Sequence, residues 1–174
     1  MCGICGIYSF YNKPNINLVL NMMSTMKNRG PDDEGHFQDD QVALGFVRLS
    51  IIDLSDAGHQ PMVSDDGRYI IVQNGEIYNY IELREELKSY GINFRSQTDT
   101  EVLLQSYIYW GEECLNRFNG MWAFVIYDTR TKSLFGARDR FGIKPLYYYK
   151  DKDCFIFASD INAIYKIKKE SINI

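Results

Sequence analysis

Apolar residues recur along the chain with two periods, and the switches between them mark out its elements. Residues 4–10 read as an opening strand softened by Gly3 and Gly6. Leu18, Met22 and Met26 then recur at helical spacing, until Gly30-Pro31 ends that helix. An Asp-rich turn around Asp32 and Asp33 leads into a strand over 42–52, and 69–72 form another that ends at Asn74-Gly75. Two capped helices follow. Asn79 with Glu82 makes a capping-box-like start for a helix carrying Leu83, Leu87 and Tyr90 and closed by Gly91, and Thr98 with Glu101 opens a second through 102–110. Residues 121–127 are apolar at nearly every position, as a strand covered on both faces would be. Shorter strands are expected at 134–137, 146–149 and 155–157, and a last helix over 160–167. Strands outnumber helices and gather near each end of the chain. An α+β chain with a two-sheet sandwich and outer helices suits this order, although the pattern alone does not fix the topology.

Composition narrows the class. A chain of 174 residues favours one domain with a sizeable core. The net charge is -4 and the only dense basic run is Lys166, Lys168 and Lys169, which excludes the basic footprint of a nucleic-acid binder. No apolar run reaches the roughly 18–20 residues that span a bilayer. The start also lacks the charged and apolar regions of a secretory signal. A cytoplasmic protein without membrane contact is expected, its four cysteines (Cys2, Cys5, Cys114 and Cys154) reduced.

The chemistry begins at Cys2. It follows the initiator Met and precedes small Gly3, so removal of Met1 would leave it as the N-terminal residue. Its own amine, with an ordinary pKa of about 7.7–8.0, could then act as base for the thiol. The plain alternative is a small buried cysteine in a first strand. Cys2 and Cys5 also spell C-x-x-C, but Cys114 and Cys154 are distant. The only histidines, His36 and His59, are near no cysteine, so zinc and redox readings are weak. His59 reads as a loop residue making structural hydrogen bonds. Asn74 and the N–H of Gly75 could donate to an oxyanion, although Asn-Gly by itself favours an ordinary turn. Arg48, in an apolar strand, needs an anion: a ligand carboxylate, or Asp53 or Asp56. Asp99 sits at a helix start, where the backbone dipole already favours it.

Several motifs occur in order: Cys2-Gly3-Ile4-Cys5-Gly6, Arg29-Gly30-Pro31-Asp32, Arg48-Leu49-Ser50-Ile51-Ile52-Asp53-Leu54, Gly58-His59-Gln60-Pro61-Met62 and Asn74-Gly75-Glu76-Ile77-Tyr78-Asn79. Phe118-Asn119-Gly120-Met121-Trp122-Ala123-Phe124 and the run from Arg138-Asp139-Arg140-Phe141-Gly142 to Ile143-Lys144-Pro145-Leu146-Tyr147-Tyr148 complete the series. Together they resemble the glutaminase domain of the class II, N-terminal-nucleophile glutamine amidotransferases, of the asparagine synthetase (glutamine-hydrolysing) type. The likeness covers nearly the whole chain. Phe46-Val47 stands where that family often has His-Arg, and Asp160 where Glu is usual.

The resemblance implies a four-layer αββα sandwich of the N-terminal nucleophile hydrolase type, over a single domain 1–174 with no synthetase or ATP-binding domain in the sequence. It implies that Cys2 attacks the side-chain amide of L-glutamine and that Asn74 and Gly75 hold the oxyanion. Arg48 would bind the α-carboxylate. Asp99, with Gly75 and Glu76, would bind the α-ammonium, and Leu49, Ile51 and Ile52 would line the pocket. The products would be glutamate and ammonia, formed through a thioester. No cofactor is implied for that step; ATP and Mg would belong to a synthetase domain or subunit that receives the ammonia. A homodimer is allowed for. The segment from Arg138 to Tyr148 reads as scaffold, with Arg138, Asp139 and Arg140 in a buried ionic network. Two rival readings stand: a nucleophile hydrolase of another amide, and a silent glutamine-binding or interaction module.

Overall fold

The structure is a computed structural model that describes residues 1–50 and 56–172, with side chains to residue 168. The described residues form nine strands and four helices: β1 (Gly3–Ser9), α1 (Ile16–Thr25), β2 (Asp33–Gln38), β3 (Val42–Arg48), β4 (Met62–Val63), β5 (Tyr69–Ile77), α2 (Tyr80–Ser89), α3 (Asp99–Trp110), β6 (Gly120–Asp128), β7 (Ser133–Arg138), β8 (Tyr147–Lys150), β9 (Cys154–Ala158) and α4 (Ile161–Ile172). A five-stranded sheet runs in the order β2-β3-β1-β9-β8 and a four-stranded sheet in the order β4-β5-β6-β7, and their pairings are antiparallel.

Strand alternation sorts the core into three bands. Cys5, Ile7, Ala43 and Val47 face α1 and α4, against Val19, Met22, Met26 and Ile164. Ile4, Val42, Leu44 and Phe46 of the first sheet meet Ile70, Val72, Val125 and Tyr127 of the second. On the far side, Ile71, Phe124 and Ile126 pack beneath α2 and α3, against Leu83, Leu87, Val102 and Leu103. Helices therefore cover both outer faces and the expected αββα sandwich is present. The middle band explains why β6 is apolar at successive positions. Its alternate residues enter different bands, and burying each such side chain stabilises the fold by about 1.5–3 kcal/mol.

Several local expectations need correction. The Asp-rich turn expected around Asp32 and Asp33 gives way at Asp33 itself to an unforeseen strand, β2, pairing Asp33 with Arg48 and Phe37 with Leu44. β5 does not end at Asn74-Gly75: it continues to Ile77, with Asn74 opposite Ala123 and Gly75 opposite Trp122. Gly75 has φ 144°, and a Cβ there would lie 2.2 Å from the Met121 carbonyl oxygen, so the strand needs glycine at this crossing. Asn79 is the N-cap of α2 but forms no side-chain cap bond. Its amide instead accepts from Asn119 N at 2.9 Å and donates to Arg117 O at 3.0 Å, tying α2 to the turn before β6. Thr98 does cap α3, accepting from Glu101 N at 3.2 Å.

Nor do Arg138, Asp139 and Arg140 form an ionic network. The Asp139 carboxylate accepts backbone amides of Trp122, Phe141, Ile143 and Lys144, while Arg138 and Arg140 donate to carbonyl oxygens. Among the described residues no helix is long and apolar enough to cross a membrane.

Candidate active site

At one end of the middle band the apolar rows give way to polar groups. Along β3 the row Val42, Leu44, Phe46 continues to Arg48, and along β5 the row Ile70, Val72 continues to Asn74. Cys2, just ahead of β1, packs against the same band. The result is a cleft enclosing about 690 Å³, open mouth included, lined by Cys2, Arg48, Leu49, Asn74, Gly75, Glu76 and Asp99 among others. Of the residues singled out in the sequence, these seven are brought together; Ile51 and Ile52 lie outside the described residues.

The alternation also separates the two cysteines of C-x-x-C. Cys5 is fully buried beneath α1, where desolvation pushes its thiol far up, while Cys2 faces the cleft. All four cysteines are free, and no group of three or more His, Cys, Asp and Glu among the described residues could hold a metal. His59 is a structural residue, its Nδ1 2.8 Å from Asp33 Oδ2.

The Cys2 thiol is fixed by one neighbour: Leu49 N donates to Sγ at 3.4 Å and Sγ donates to Leu49 O at 3.6 Å. Burial raises its pKa, against the opposing pull of the Leu49 amide, the chain's amine and Arg48. Asn74 is 1% exposed, and its side-chain Nδ2 is buried without a hydrogen-bond partner among the described residues. An orphaned donor costs about 1–3 kcal/mol, so its presence at a cleft calls for an acceptor that arrives from outside.

Arg48 (7% exposed) and Asp99 (6% exposed) place opposite charges in the one cleft. The Asp99 Oδ2 accepts from Gln73 Nε2 at 3.0 Å and Ile77 N at 2.9 Å. Burial pushes its carboxyl above the ordinary range, with the hydrogen bonds from Ile77 and Gln73 opposing that rise and the charge of Glu76 adding to it.

Other lining residues were not legible as site residues. Gln60 accepts from Gln73 N at 2.6 Å and donates to Thr100 at 3.2 Å, bracing the Gln73–Asp99 pair. Gly58 lies against the guanidinium of Arg48, since a Cβ there would be 2.0 Å from Nη2. Both come from the Gly58-His59-Gln60-Pro61 motif, to which the sequence reading gave no role in the site.

Over residues 1–174, this chain matches the glutamine amidotransferase domain family. It belongs to that family. It is 44% identical over 195 residues to the putative asparagine synthetase [glutamine-hydrolyzing] 2 of Methanocaldococcus jannaschii, an alignment covering 99% of this chain and 37% of that protein. It is 46% identical over 168 residues to asparagine synthetase [glutamine-hydrolyzing] 1 of Bacillus subtilis, covering 94% and 26%. The chain thus spans roughly a quarter to a third of the length of these relatives. In fold it is similar to the glutamine phosphoribosylpyrophosphate amidotransferase of B. subtilis, with a TM-score of 0.79 at 20% identity over 94% of this chain and 43% of that one. The cleft thus brings together a thiol, a buried amide donor, a cation and an anion.

Proposed function

We propose that this domain hydrolyses the side-chain amide of L-glutamine, with Cys2 as nucleophile once Met1 has been removed. The observation that carries the reading is the buried, unpartnered Nδ2 of Asn74 in the same cleft as the Cys2 thiol. Such a donor has a use where negative charge develops, and an oxyanion is that charge.

The steps follow from the groups present. Arg48 takes the α-carboxylate, and Asp99, aided by Glu76, takes the α-ammonium; Leu49 lines the pocket beside the thiol. A thiol raised by burial stays protonated near neutrality, so it needs a base, and the freed amine of Cys2 supplies one. Sγ attacks the amide carbon as its proton passes to the amine. The oxyanion rests on Asn74 Nδ2 and the Gly75 N–H. Collapse breaks the C–N bond, the proton moves to the leaving nitrogen, and ammonia departs from a γ-glutamyl thioester. Water then attacks the thioester, the amine taking its proton, and glutamate leaves with the thiol restored. Nucleophile, base, oxyanion donors and anchors all come from the chain, so we infer no cofactor for this step.

The ammonia acceptor is inferred to be an ATP-dependent synthetase domain or subunit. The relatives named asparagine synthetase support this, because most of their length lies beyond the part matched here.

The test is ammonia release from glutamine by protein whose first residue is verified as Cys2 by mass. Cys2→Ala should abolish release while glutamine still binds, and retention of Met1 should do the same. Cys5→Ala, beneath α1, should stay within a few-fold of wild type. Turnover by Cys2→Ala near the wild-type rate would overturn the assignment.

A further inference from the structure

The run from Arg138 to Tyr148 has a use beyond scaffold. Its loop between β7 and β8 is held from within: Asp139 accepts Ile143 N at 2.9 Å and Lys144 N at 3.0 Å, and Arg138 Nε donates to Lys144 O at 2.5 Å. Gly142 completes the turn at φ 64°. This loop delivers Lys144 into the cleft beside Cys2 and Asn74, where it is only 6% exposed. Its Nζ lies 3.4 Å from the Met1 sulfur. A thioether is a weak acceptor, and among the described residues no carboxylate is paired with this ammonium. Burying a cation without a counter-charge is costly, and removal of Met1 would take away even the sulfur.

We infer that Lys144 is a further functional residue of this site: its ammonium keeps the α-amine of processed Cys2 in the unprotonated form that serves as base. The inference rests on the function proposed above. The Met1 sulfur and the Cys2 nitrogen are joined through a short run of covalent bonds, so the ammonium lies within about 10 Å of that nitrogen. A unit charge at that distance, in the effective dielectric typical of protein sites, shifts a neighbouring titration by on the order of one pH unit. The sign is fixed: a cation disfavours protonation of an amine.

The other charged groups of the cleft are Arg48 from β3, Glu76 from β5 and Asp99 from α3, with Arg29 donating to the Cys2 carbonyl oxygen at 3.2 Å. The two carboxylates favour the protonated amine. Arg29 and Arg48 oppose them, and Lys144 adds a third cation that tips the balance toward the free base.

Two measurements test this on protein lacking Met1. The first is the pH dependence of kcat/KM for glutamine in Lys144→Met and Lys144→Arg. The acid limb, an apparent value belonging to the thiol–amine pair, should move up by about one pH unit in Lys144→Met and stay in place in Lys144→Arg. An unmoved limb in Lys144→Met, or a change confined to KM, overturns the inference. The second is titration of the ¹⁵N-labelled Cys2 amine of the wild-type protein by NMR, which reads the same property without turnover or substitution. A midpoint below the ordinary range of about 7.7–8.0 is expected, and one at or above it overturns the inference even if Lys144→Met fails to fold. Absence of glutamine hydrolysis would sink the proposed function instead, and the NMR titration keeps the two failures apart.

Discussion

Gly58→Ala is the smallest change that tests how the cleft is built. Gly58 has an ordinary backbone conformation, being absent from the glycines with positive φ, so alanine brings no backbone strain. What it brings is a methyl group 2.0 Å from Arg48 Nη2 and 2.8 Å from Cζ. Carbon contacts settle at about 3.5 Å, so the guanidinium must retreat by roughly 1.5 Å. Charged hydrogen bonds run about 2.7–2.9 Å and do not survive that displacement. Losing one costs about 1.5–3 kcal/mol, which at about 1.4 kcal/mol per tenfold raises KM for glutamine by roughly 10–100-fold. The value of kcat should change little, because the carboxylate is held equally in ground and transition states. Glutaminamide, which lacks the carboxylate, serves as control and should keep its KM. Steady-state kinetics on both substrates, with a thermal melt to confirm folding, decide the matter. A folded variant whose KM for glutamine stays within twofold refutes the reasoning, and so does an equal rise for both substrates.

Asn74→Ala should lower kcat by on the order of 10²–10³-fold with little change in KM, as for loss of one oxyanion donor; a change confined to KM would make Asn74 a ground-state contact. In the proposed binding mode Asp99 holds the ammonium only when ionised, and burial raises its carboxyl pKa. KM for glutamine should therefore rise as pH falls, beginning above the ordinary carboxylate range. An acid-side KM that stayed flat down to that range would remove Asp99 from the binding site.

Much of the fold was readable because each long element had a local signature. The helix of Leu18, Met22 and Met26, the Thr98 cap and the doubly covered β6 are written in spacing and burial. β2 was not, because Asp33-Glu34-Gly35-His36 shows no apolar alternation; it becomes a strand by pairing along β3. Asn74-Gly75 misled for a related reason. The pair has the chemistry of a turn, yet its backbone is held by Ala123 and Trp122 across the ladder, a partner that local propensity cannot see.

The site divides along the same line. Groups that would touch the substrate were legible, since a lone Arg in an apolar strand, an acid at a helix start and a cysteine after Met are locally anomalous. Groups that hold those residues in place were not. Nothing around Gly58 in the sequence says that Arg48 lies against it, and nothing in Gln60 says that it accepts from the backbone N–H of Gln73, whose side chain in turn reaches Asp99. Lys144 is the sharpest instance, because a lysine before a proline reads as an exposed loop residue. Only the folding of Asp139 onto its own loop turns that ammonium inward, to a cleft whose other walls come from distant parts of the chain, the start of the chain and β3 among them. Reaction chemistry is therefore recorded residue by residue, whereas the tuning of that chemistry depends on contacts that exist only once the two sheets have met.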